Sequence, residues 1–175
     1  MAEDQRFAAN RPDVVIFETD VLLEDMVLAG RIMTDLYVST SSTDADFIVK
    51  LIDVLPDTAT TAKGSPRGFS MAGLQRLVRA EVMRGKFRNS YENPEPFVPN
   101  KISEVKFDLN DVAHTFKKGH KIMIQVQSSW FPLIDRNPQK FMRIPDATEK
   151  DFIKATIKIY HDAVNASKIV LPVLK

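Results

Sequence analysis

Three histidines, one serine in a glycine-bounded turn and a proline-broken aromatic loop are the residues of this chain that merit a chemical test. His114, His120 and His161 stand at no spacing from one another or from a carboxylate that suggests a metal site, so each is expected to be a hydrogen-bonded imidazole at a strand end. Gly68-Phe69-Ser70-Met71-Ala72 resembles a nucleophile elbow with alanine in the last small position. The elbow needs a buried strand before its serine and a helix after it. Here the polar run Thr60 to Arg67 precedes Ser70 and another alternating segment follows, so Ser70 is not expected to be catalytic. Asp44, Asp46, Asp53 and Asp57 cluster around one strand, but without the Asp/Asn/Gly density of a calcium loop they read as turn formers. Arg76, Arg79, Arg84 and Arg88 form a basic stripe beside Glu81 and Glu92, which suits a solvated face or an interdomain contact. In an unbulged strand Arg76 and Arg84 share a face and Arg79 opposes them.

The most informative stretch runs from Gln125 to Pro138. It ends an alternating strand, breaks at Pro132, and carries the only tryptophan, Trp130, beside Phe131 and ahead of Asp135-Arg136-Asn137. Surface loops favour small polar residues, so two bulky aromatics imply a loop pinned against something. Two readings stay open from these residues alone. Trp130 covers the end of its own domain with Asp135 and Arg136 paired to each other, or Trp130 and Phe131 fill a pocket elsewhere while Arg136 meets a carboxylate and Asn137 a loop backbone group.

Composition narrows the classes. The 175 residues are 44% hydrophobic and 27% charged, the balance of an ordinary globular domain. Lys and Arg total 24 against 23 Asp and Glu, a net charge of +1, which gives no electrostatic reason to expect nucleic acid or an anionic membrane as partner. No apolar run approaches the roughly 20 residues that span a bilayer. Without cysteine, disulfides, thiolate metal sites and a cysteine nucleophile are excluded, and no cofactor or metal is expected. The polar start, Met1 to Arg6, is not a signal peptide; residues 1–12 read as a linker and 13–175 as one domain.

Short alternating segments are expected as strands at Asp13–Thr19, Met26–Thr40, Phe47–Leu55, Leu74–Lys86, Ile102–Leu109 with a possible bulge, Lys121–Gln127, Ile153–Tyr160 and Lys168–Val173. A long loop is expected between Pro56 and Gly73, and no regular structure from Asn93 to Asn100. Single helical turns are expected at Asp111–Phe116 and at Asp146–Phe152, the latter capped by Thr148. About eight strands predict an all-β jelly-roll sandwich rather than a small barrel.

Several segments also carry a resemblance: Glu3-Asp4-Gln5-Arg6, Thr43 to Phe47, Lys50 to Val54, Gly119 to Val126, Ser129-Trp130-Phe131-Pro132, Asp135-Arg136-Asn137 and Ile169 to Pro172. In that order they resemble the C-terminal domain of the cocaine esterase and X-Pro dipeptidyl-peptidase group of serine hydrolases. The likeness is nearest to the α-amino-acid ester hydrolases and the glutaryl 7-aminocephalosporanic acid acylases. It implies a galactose-binding-like jelly roll that follows an α/β-hydrolase domain and a helical cap. The triad of that group lies in the hydrolase domain, so no residue here is expected to be nucleophile, base or acid. The resemblance further implies a non-catalytic role against the hydrolase domain and cap, with Trp130, Phe131, Asp135, Arg136 and Asn137 as interdomain or cleft-wall candidates. It allows homo-oligomer contacts and favours an exported protein. The competing reading is a carbohydrate-binding module with Trp130 stacked on a sugar ring, against which stand a single Trp and only three Tyr.

Overall fold

The structure is a computed structural model that describes residues 4–174. Eight strands make two antiparallel sheets. The first sheet has the order β1 (Val14–Glu18), β6 (Lys121–Gln127), β3 (Asp46–Val54), β4 (Gln75–Arg84). The second has β5 (Ser103–Phe116), β2 (Met26–Thr40) and β7 (Ile157–Tyr160), with β8 (Lys168–Val170) also pairing β2. Every connection except β3–β4 and β7–β8 crosses between the sheets, as in a jelly roll. The all-β sandwich expected from the period-2 pattern is therefore what forms.

Alternation places the core. Ile32, Leu36 and Val38 of β2 and Val105, Phe107 and Leu109 of β5 meet Phe47, Val49 and Leu51 of β3 and Ile122 and Val126 of β6 between the sheets. Strand β3 is buried on its other face as well, since Ile48, Lys50 and Ile52 have no exposed surface. Their partners on β6, Gln127, Gln125 and Met123, are buried too. A helical turn, α1 (Arg6–Ala9), lies in the segment that helps cover this outer face. Gln5 and Ala8 are fully buried, and Gln5 donates its backbone N–H to Gln75 O (2.8 Å). Within residues 4–12 of the expected linker, Gln5 and Ala8 are thus packed on the sandwich while Phe7, Asn10 and Pro12 are exposed; residues 1–3 lie outside the described residues. The second sheet's outer face is different in kind. It carries a charged ladder, Arg31–Asp108 (3.6 Å), Lys106–Glu104 (2.7 Å) and Lys168–Asp35 (3.5 Å).

Three expectations are corrected. Asp111–Phe116 is the second half of β5, not a helical turn, because it pairs residue for residue with Met26–Arg31. The irregularity is a bulge at Leu109 and Asn110, with Asn110 at φ 64°, a left-handed conformation that asparagine tolerates. Arg76 and Arg84 do not share a face: β4 also bulges, at Val78, so Arg79 pairs Leu51 while Leu77 pairs Ile52. Arg76 then lies opposite Asp53 on the inward side and Arg84 opposite Asp46 on the outward side. The alternating run expected to reach Lys86 ends at Arg84 and tightens into a 3-10 turn, Gly85–Phe87. The turn expected at Asp146–Phe152 is present as Glu149–Asp151, with Thr148 and Asp151 forming a capping box.

Gly85 has a packing reason rather than a conformational one. A Cβ there would meet Phe97 Cε2 at 2.4 Å and the Ala45 carbonyl oxygen at 2.6 Å, and Gly85 N–H donates to that same carbonyl (2.8 Å). Gly85→Ala should therefore destabilise the domain by about 1–3 kcal/mol in urea unfolding, through overpacking at a backbone contact. A stability equal to wild type would show that this corner yields more freely than the contacts imply.

Candidate functional site

The loop after β6 is bolted to the end of the sandwich from its polar side. Ser128 Oγ donates to Asp46 O (2.8 Å), Gln127 Nε2 to Ser129 O (2.6 Å) and Asn137 Nδ2 to Asp46 Oδ1 (2.7 Å). Arg84 pairs with Asp135 and lies 3.6 Å from Asp46 Oδ2. Lys86 Nζ donates to Met142 O (2.7 Å) and stands 3.8 Å from Asp44. Burial pushes the Asp46 carboxyl up to about 6, against the opposing pull of Asn137 and Arg84, and burial also raises Asp44.

Trp130 faces inward. Only 8% exposed, it lies over Lys50 with Nζ 4.6 Å from the ring centroid. Lys50 donates to Gln5 Oε1 (2.8 Å) and lies 5.5 Å from the Phe7 ring. Burial, with a smaller repulsion from Arg11, lowers the Lys50 ammonium to about 8. Past Trp130 the chain turns outward. The Phe131–Pro132 bond is cis, and Phe131 and Leu133 are 62% and 58% exposed. Asp135 and Arg136 do not pair with each other. Asp135 goes to Arg84, while Arg136 donates to Glu149 (3.2 Å) and lies 4.5 Å from the Phe152 ring. The five residues singled out from the sequence thus divide into two inward-facing groups, Trp130 and Asn137, and three at the surface.

Other candidates resolve as structural parts. Ser70 Oγ accepts the Ala72 N–H (3.2 Å), and its carbonyl accepts Arg6 Nη2 (3.1 Å). Asp57 is an exposed turn residue. Asp53 is the constellation that spacing did not reveal: its two oxygens meet His120 Nδ1 (2.7 Å) and His114 Nε2 (3.0 Å). The clamp ties β3 and the start of β6 to β5 across the sandwich. A carboxylate more than sixty residues from either imidazole in the chain leaves no local signal. His161 packs edge-on against Phe17. Among the described residues no group of three or more His, Asp or Glu is arranged to hold a metal.

Comparison with known proteins places this arrangement. The model of the X-Pro dipeptidyl-peptidase C-terminal non-catalytic domain matches residues 2–170. The chain belongs to that family. It is 33% identical over 172 residues to the cocaine esterase of Rhodococcus sp. (strain MB1 Bresler), covering 98% of this chain and 27% of the esterase. An α-amino acid ester hydrolase superposes with a TM-score of 0.90 at 41% identity, over 99% of this chain and 27% of that one. An aminopeptidase from a Thaumarchaeota archaeon of marine sediment also gives 0.90, at 39% identity, over 99% of this chain and 28% of that one. The chain thus spans about a quarter of the length of these relatives. These matches favour the non-catalytic hydrolase domain over a carbohydrate-binding module, and Trp130, covering Lys50, does not present its ring for sugar stacking.

The Asp46 carboxyl yields a pH test. Its folded value lies above the unfolded one, so its contribution to stability is fully present below pH 3.8 and is lost as pH rises through about 6. Across that window the loss is on the order of 2–3 kcal/mol. Asp46→Asn keeps an acceptor for Asn137 and cannot titrate. Urea unfolding between pH 4 and 7 should therefore show wild-type stability falling relative to the variant by about that amount. Parallel profiles would contradict the assignment.

Proposed function

We propose that this chain is the accessory domain of a serine hydrolase of ester or amide bonds, with residues 1–12 entering from the preceding domain and 13–175 forming the domain. In this proposal its first sheet faces the α/β-hydrolase domain and helical cap of the same polypeptide. The Trp130 loop forms part of the docking surface and one wall of the active-site cleft. The observation that carries this reading is the contrast between the two outer faces. One bears a solvated ladder of ion pairs, worth little energetically and typical of a surface left to water. The other is buried, its Ile48, Lys50 and Ile52 row and their β6 partners covered in part by the incoming segment, and it is edged by Phe7, Phe131 and Leu133, each about half exposed or more. Apolar groups held outward on a pinned loop suit a partner surface. The names of the relatives, an ester hydrolase, a cocaine esterase and an aminopeptidase, support a hydrolase of this broad kind.

In the full-length hydrolase, Phe131→Asp combined with Leu133→Asp should lower kcat/KM by about tenfold or more, since each side chain contributes roughly 1.5–3 kcal/mol when fully buried. Lys106→Ser combined with Lys168→Ser, on the second sheet's outer face, should leave it unchanged. Equal effects from the two pairs, or none from the loop pair, would contradict the orientation. The 175-residue chain alone should hydrolyse no p-nitrophenyl ester above background. Turnover abolished by Ser70→Ala would overturn the non-catalytic role.

A further inference from the structure

Lys50 is an expensive residue for its place. It sits mid-strand in β3, with no exposed surface, between Ile48 and Ile52 on the same outward face. An ammonium there costs several kcal/mol unless its surroundings compensate, and a leucine or methionine would fill the site without that cost. Among the described residues no carboxylate lies within ion-pair distance of it. Compensation comes instead from two separate stretches of chain. The incoming segment supplies Gln5 Oε1 at 2.8 Å and the Phe7 ring at 5.5 Å; the loop after β6 supplies the Trp130 ring at 4.6 Å.

We infer that Lys50 is a positioning residue that couples the two: docking of residues 5–8 on the first sheet holds Trp130 in place, and Trp130 in turn holds that segment. The ammonium is stabilised only when both are seated, so losing one weakens the hold on the other, and the linkage is reciprocal. The indole makes the dependence strong. Trp130 Nε1 is buried and has no hydrogen-bond partner among the described residues, so among them no directional bond fixes the ring, and its seat rests on the stack over Lys50 and on packing. On the far side, Arg6 carries the segment's position into the Ser70–Ala72 turn by donating to both carbonyls (3.1 and 3.0 Å). Past Trp130, the same loop presents Phe131 and Leu133. A pull on the incoming segment is thereby delivered to the exposed aromatic tip. The coupling is internal to this chain and does not depend on what the tip touches.

Trp130 is the only tryptophan, so intrinsic emission reports its seat directly. Gln5→Ala with Phe7→Ala should red-shift the emission and increase acrylamide quenching. In a Lys50→Met background, the same pair should cause no further change. Unaltered quenching with Lys50 present, or equal changes in both backgrounds, would overturn the inference. A reciprocal measurement keeps Lys50: in Trp130→Leu, amide exchange at Ala8 and Ala9 should quicken by about fivefold or more while β3 amides stay protected. Unchanged exchange at Ala8 and Ala9 would count equally against it. Neither experiment involves a second domain, so failure here leaves the proposed docking face standing, and failure of the docking variants leaves this coupling standing.

Discussion

A central strand buried on both faces is the constraint from which the rest of this domain follows. Most half-exposed antiparallel sheets put apolar residues on one face and polar ones on the other. Strand β3 instead places Phe47, Val49 and Leu51 between the sheets and Ile48 and Ile52 on the outside. The outward apolar row cannot be left to water, so something must cover it. In this chain the cover consists of the incoming segment around Gln5 and Ala8 and the inward-turned Trp130. The second sheet's outward face is left open instead, with ion pairs among Arg31, Asp108, Lys106, Glu104, Lys168 and Asp35 beside the exposed Met33 and Val170.

Electrostatics at the loop follows from the same burial. Asp44 and Asp46 stand where the segment after β2 meets the loop after β6, nearly cut off from water, with cations held at 3.6–3.8 Å rather than in close contact. Removing one partner from such a cluster costs more than the pair contributes, because a buried charge is left behind. The arrangement is therefore better at fixing one loop position than at adding stability. It holds the base of the loop, while Lys50 and Trp130 hold the turn, and Phe131 and Leu133 are left projecting from a fixed platform.

The fold was largely legible because strands such as Met26–Thr40 and Lys121–Gln127 alternate over part of their length, and both end where the sequence says they should. Local pattern misled where tertiary pairing decides. Asp111–Phe116 looks helical alone but becomes strand because β2 is long enough to pair it, and the bulge at Val78 reversed the expected arrangement of arginines. The aromatic loop was legible as a pinned element, but not which way each side chain points. Asp135 and Arg136 are adjacent in the chain and oppose different partners, Arg84 and Glu149, that only the folded strands and turns bring close. The Asp53 clamp and the buried Lys50 were invisible for the same reason: their partners lie on other strands or at the far end of the chain.

In the proposed orientation the first sheet's side, not the charged ladder, faces the rest of the full-length protein. The most direct measurement is amide hydrogen exchange of this 175-residue chain compared with the same residues in the full-length enzyme. Added protection in the full-length protein should fall on residues 4–12 and 128–137, with β2, β7 and β8 unchanged in their exposed register. Protection gained along the charged face, with none at the Trp130 loop, would contradict it.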